Sequence, residues 1–147
     1  MNINQMKAEK TDMRILLSTL WIFAILNYLY CDIMGIMDVN LLKQYLTGTV
    51  NGMEMNENFL LAAAILMEIP IAMVLLSRIL NYKANRWANI IAGILMTLAQ
   101  TATLFVGEPA KYYLFCSIIE IATTITIVWL AWKWKNSDSI TDKQDLK

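Results

Sequence analysis

Three carboxylic acids, Asp32, Glu68 and Glu120, lie inside stretches that are otherwise apolar for about twenty residues. An ionisable side chain within a membrane span costs ~2.5–3.5 kcal/mol on insertion scales, which makes each one a candidate functional group. No Lys or Arg lies in the interior of these stretches to neutralise the acids, and the chain has no histidine. A lone carboxylate in hydrocarbon takes up a proton; two that face each other share one proton or hold a cation between them. Pro70, two residues after Glu68, leaves the carbonyl of Leu66 without its helical N–H partner beside that acid and marks a helix kink. Three readings of these acids stay open. The first is a proton or cation site. The second is protonated acids hydrogen-bonded to Asn27, Thr97 or Gln100 as glue for the bundle, at ~0.6 kcal/mol per bond. The third is a site for a polar ligand.

The elements that must position these groups are four spans, at 15–36, 59–80, 87–106 and 111–132. The 147 residues are 58% hydrophobic and 16% charged, against about 45–50% and about a quarter in soluble domains. What remains outside the spans is too little and too divided for a soluble catalytic domain. Twelve basic against twelve acidic residues argue against a nucleic-acid binder, and two cysteines against a secreted disulfide scaffold. Counted from the span ends at 1.5 Å per residue, Glu68 and Glu120 both lie roughly 13–14 Å deep, near the midplane. Asn27 and Thr97 reach the same level, Gln100, Ser117, Thr123 and Thr124 extend the belt, and Asp32 lies roughly 6 Å from the surface. The expected fold is all-α, an up-down-up-down bundle of four transmembrane helices spanning 15–134, with polar tails at 1–14 and 135–147.

Orientation follows from the basic residues. Lys7, Lys10, Arg14, Arg78, Lys83, Arg86, Lys133, Lys135, Lys143 and Lys147 fall on one side, and only Lys43 and Lys111 on the other. Both termini are therefore expected in the cytoplasm. Trp87, Trp132 and Trp134 are expected as anchors at that interface, with Arg86 pairing with lipid phosphate and Asn85 capping the third span. The first span reads as retained, because no small-residue cleavage site follows its apolar core. The long 37–58 connection carries apolar residues at helical spacing over 39–46, then breaks at Gly48 and Asn51-Gly52, with Asn56 or Asn58 capping the second span. It reads as a solvated connector or as a lid over an outward cavity. Cys31 and Cys116 lie at similar depth and are close enough to bridge, or act as small hydrophobes; the methionines read as core filler. The absence of histidine excludes bis-His haem, His-ligated zinc and His-dependent catalysis, so no catalytic residue, metal or cofactor is expected.

Several stretches carry a family resemblance: Leu17-Ser18-Thr19-Leu20-Trp21-Ile22-Phe23, Glu68-Ile69-Pro70-Ile71-Ala72-Met73 with Ser77-Arg78, Asn85-Arg86-Trp87-Ala88-Asn89-Ile90-Ile91-Ala92-Gly93, and Trp129-x-Ala131-Trp132-Lys133-Trp134. Over roughly 14–135 the chain resembles a family of small prokaryotic four-helix membrane proteins known only as a domain of unknown function. In layout it is distantly similar to the DoxX-like proteins. The resemblance implies fold and membrane location and supplies no active-site residue. The leading functional expectation is a small transporter or ion-translocating protein of the prokaryotic inner membrane, built on Glu68 and Glu120 with Asn27, Thr97 and Gln100 lining the site and Asp32 at its entrance. The alternatives are an accessory or assembly subunit of a larger membrane complex and a DoxX-like quinone-linked accessory using the cysteines. Expected partners are membrane lipid, a second copy or a larger complex, and no nucleic acid.

Overall fold

A computed structural model describes residues 3–134, with side chains from Met13 to Trp134. The described residues form α1 (Ile3–Met37), α2 (Val39–Thr47), a hairpin of β1 (Thr49–Val50) and β2 (Met53–Glu54), α3 (Glu57–Ile79), α4 (Tyr82–Thr103) and α5 (Lys111–Lys133). The expected tail at 135–147 lies outside the described residues. Three segments are long and apolar enough to cross a membrane: Met13–Met37, Glu57–Ile79 and Lys111–Lys133. The third expected span, α4, has 22 residues. It is not among the three, because Asn85, Arg86, Asn89, Thr97, Gln100, Thr101 and Thr103 dilute its apolar character.

Helix ends depart from the expected boundaries for identifiable reasons. Asn56 caps α3, its side chain accepting from Phe59 N–H at 2.9 Å. Asn81 caps α4 by accepting from Ala84 N–H at 3.0 Å, so α4 begins at Tyr82, five residues earlier than expected. Asn85, expected as that cap, is instead inside the helix and buried. The helix expected over 39–46 is α2. Asp38 caps it with one carboxylate oxygen on Asn40 N–H (2.9 Å) and Leu41 N–H (3.4 Å), and Gly48 closes it at φ +73°. The hairpin that follows was not expected. Its turn places Asn51 at φ +48° and Gly52 at φ +81°, the left-handed pair that matches strand twist in a two-residue loop.

The four long helices close in the order α3–α1–α5–α4, with α3 and α4 the lesser contact. α1 contributes Leu17, Trp21, Ala24 and Tyr28 to the core, a single face at helical spacing. Met73 of α3, Ala92 and Met96 of α4 and Ile127 of α5 meet it. Among the described residues α3 buries only Pro70, Met73 and Ser77, all in the half nearest its turn into α4. Its other half has no buried residue among the described ones; Phe59, Ala63, Leu66 and Met67 there are half-buried, and Leu66 and Met67 pack against the core.

α4 and α5 approach closely at Gly93. A Cβ there would lie 2.6 Å from Val128 Cγ2 and 3.3 Å from the Thr124 carbonyl oxygen. Small residues allow such close approach between helices in a membrane. Overpacking of this kind costs ~1–3 kcal/mol, so Gly93→Ala is expected to lower the thermal midpoint of the detergent-purified protein by several degrees. An unchanged midpoint would mean that Val128 swings aside without loss.

Candidate functional site

Glu120 is the centre of the interior. It lies on the α5 face defined by Tyr113, Ser117, Glu120 and Thr124, is 1% exposed, and neither of its carboxylate oxygens has a hydrogen-bond partner. The hydroxyl of Tyr28, on α1, is buried in the same condition and within electrostatic reach of that carboxylate. The neighbouring polar groups are spent on each other. The Thr97 and Thr124 hydroxyls are 2.7 Å apart, so one donates to the other, and the hydroxyl that accepts donates to a carbonyl of its own helix. Gln100 donates to Ser117 Oγ at 2.8 Å, and Tyr113 donates to Thr103 Oγ1 at 2.6 Å. The result is a file of polar side chains between α4 and α5, running from Tyr113 and Thr103 through Ser117 and Gln100 to Thr97 and Thr124, with Glu120 alone unpaired. Leaving a buried polar group unsatisfied costs ~1–3 kcal/mol, more if it is charged. A site where the fold accepts that cost is a candidate for function.

The other expected site residues go elsewhere. Glu68 is exposed on α3, and no hydrogen bond joins it to Glu120, whose oxygens are unpartnered. The expected carboxylate pair is therefore not formed within the chain. The reason lies in facing: at three- and four-residue spacing Glu68 has Ala64, Ile65, Ile71 and Ala72 for neighbours, whereas Glu120 has Ser117, Thr123 and Thr124. The residues of the expected belt are divided in direction. Asn27 turns back on its own helix, donating to the Phe23 carbonyl at 2.8 Å. Asp32 is exposed on α1. Thr97 and Gln100 line the polar file without touching the acid. Pro70 is buried on the α3 face that packs into the bundle. Cys31 of α1 and Cys116 of α5 are both free and buried.

A second polar cluster, not anticipated as a unit, ties three helices together at the end where α3 turns into α4. Asn89 Oδ1 accepts from Trp21 Nε1 at 2.8 Å and from Ser77 Oγ at 3.2 Å. Its Nδ2 donates to Asn85 Oδ1 at 2.6 Å and to the Asn85 carbonyl at 2.9 Å, while Asn85 Nδ2 donates to the Ser77 carbonyl. Next to it, Arg78 Nε donates to Ser18 Oγ at 3.0 Å, and Ser18 donates to the Val74 carbonyl at 2.8 Å. These residues fall within the stretches that carry the family resemblance. Asn85 and Asn89 at i, i+4 were the legible signal, since two amides on one buried helix face need partners. Every amide here has them, so the cluster is a clamp.

The end of α5 is closed by Arg86, whose guanidinium donates to the carbonyls of Ala131 (3.2 Å) and Trp132 (3.1 Å). It was expected to face lipid phosphate; the unpaired carbonyls at a helix C-terminus draw it inward instead. The same guanidinium lies 5.9 Å from the Trp132 ring centre. Trp132 and Trp87 are exposed, at 62% and 58%, as interfacial anchors require. Trp134 is not. It is buried edge-on against Tyr82, with ring centres 5.1 Å apart, and its carbonyl accepts from the Tyr82 hydroxyl at 2.6 Å. Packing against an aromatic neighbour has overridden the interfacial preference.

Fold and site together define an all-helical protein with three membrane-length helices and an unpaired acid buried among them. The chain belongs to the family of unknown function DUF6326, whose model matches residues 1–141. No curated protein and no solved structure matches it.

Proposed function

We propose that this protein is a four-span transporter that moves protons or small monovalent cations through the polar file, with Glu120 as the binding group. The observation that carries the reading is a buried carboxyl with both oxygens unpartnered at mid-span. One carboxylate, flanked by hydroxyls and an amide, suits a proton or a single charge. α4 serves as the fourth span, since it packs along α5 and carries half of the file. In this reading the Arg14, Arg78 and Arg86 end faces the cytoplasm of a prokaryotic cell, by the distribution of basic residues. The test is flux in liposomes under an imposed pH or sodium gradient. Flux above that of protein-free vesicles, lost in Glu120→Gln, supports the proposal; no flux under either gradient removes it.

Glu68 favours an assembly as well. It sits near mid-depth on an exposed face of α3, and a carboxylate against hydrocarbon is expensive. A second copy packing on Ala64, Glu68 and Ile71 would cover it and let the two acids share a proton. Ala64→Cys is expected to give an oxidised dimer in native membranes, on a background with Cys31 and Cys116 replaced by Ser. A crosslink to a different protein in stoichiometric amount would instead favour the accessory-subunit role.

A further inference from the structure

At the α2 end of the bundle a cavity of about 340 Å³ opens between α2, the hairpin and the α4–α5 connection. Its volume falls in the range of small-molecule sites, ~300–1,000 Å³. Three tyrosines line it, Tyr45 from α2 and Tyr112 and Tyr113 from the start of α5, together with the carboxylates of Asp38 and Glu108. No basic residue is among the lining, although Lys43 and Lys111 are neighbours in the chain. The charged groups among the lining residues, Asp38 and Glu108, are both acids. Several aromatic rings with carboxylates and no cation form a setting that attracts a positive charge by its ring faces as well as by its counter-charge. An anion would meet two like charges. A neutral apolar molecule would desolvate two carboxylates for no return. A small hydrated metal ion would make no use of the three rings.

We propose that this cavity binds an organic ammonium cation. α2 and the hairpin form its roof, held by Gln44 accepting from the Asn51 N–H at 2.8 Å. Asp38 spends one oxygen on capping α2 and lines the cavity, and Glu108 lines it from the α4–α5 loop. The cavity adjoins the Tyr113–Thr103 end of the polar file, and Glu120 is not among its lining.

The test is isothermal titration calorimetry of the full chain in detergent, with choline as the probe and its uncharged carbon isostere dimethylbutanol as the control. Choline is expected to bind saturably and the isostere not. Glu108→Gln and Tyr45→Leu, both at exposed positions, are expected to weaken choline by about fivefold or more each, with unchanged thermal midpoints. Glu120→Gln is expected to leave choline binding intact, so a failed flux assay and a failed cavity are told apart. Absence of saturable choline binding, equal binding of the isostere, or an affinity indifferent to both cavity substitutions would overturn the proposal.

Discussion

Asn89→Ala is expected to lower the thermal midpoint of the purified protein by about 5–10 °C, the largest loss of any single polar substitution. The side chain is fully buried and joins α1, α3 and α4 through Trp21, Ser77 and Asn85. Removing it leaves the indole N–H, one hydroxyl and one amide oxygen without their partner in a dry interior. Each orphan costs ~1–3 kcal/mol in soluble proteins, and hydrogen bonds between membrane helices average ~0.6 with a maximum near ~1.7 kcal/mol. About 2–3 kcal/mol for the three is then reasonable, and a chain of this size loses ~2–4 °C per kcal/mol. Ser77→Ala, which removes one contact and leaves Asn89 bonded to Trp21, should cost at most about a third as much. Thermal melts of the two variants decide the matter. If they fall equally, Asn89 is not the hub.

Glu120→Gln should move stability the other way and abolish flux. An amide of the same shape removes the ionisable group from a site where neither carboxylate oxygen has a hydrogen-bond partner. A gain of about 1–2 kcal/mol, or ~2–8 °C, is expected from relief of the unpaired acid, with proton or cation flux lost. Stability gained at the expense of activity is the pattern of a functional site. Glu68→Gln serves as the contrast, because that side chain is exposed. Its effect should appear in the yield of the Ala64→Cys crosslink and leave the midpoint of the single chain unchanged. A fall in the Glu120→Gln midpoint would show that the carboxyl makes a stabilising bond, returning it to the role of glue.

The two buried sites differ in a way that energy makes plain. The Asn85–Asn89 cluster is satisfied and holds the helices at one end, where α3 has its buried residues. Glu120 is unsatisfied although it is only 1% exposed.

Much of the architecture was legible in the chain. Long apolar runs define the span of α1, α3 and α5 because hydrocarbon thickness sets a minimum length. Asn56, Gly48 and Asn51-Gly52 announce a cap, a helix stop and a turn through local backbone chemistry. The depth of Glu68 and Glu120 also follows from counting along a helix of fixed rise. Direction was the harder matter. In a span that is apolar on nearly every side, no hydrophobic stripe marks the inward face, and only the polar neighbours of Glu120 at three and four residues distinguished it from Glu68. Which helices meet was beyond the sequence altogether. Trp21, Ser77 and Asn89 come from three helices, and a hydrogen bond between residues as far apart as Trp21 and Asn89 leaves no mark at either position. The cavity under α2 likewise exists only because the hairpin folds over the α4–α5 loop. Sequence determined the three long apolar runs and the local caps and turns between helices, which are local or one-dimensional quantities. Tertiary structure decided which acid is buried and which polar groups are partnered, since partnership depends on the simultaneous packing of all four long helices.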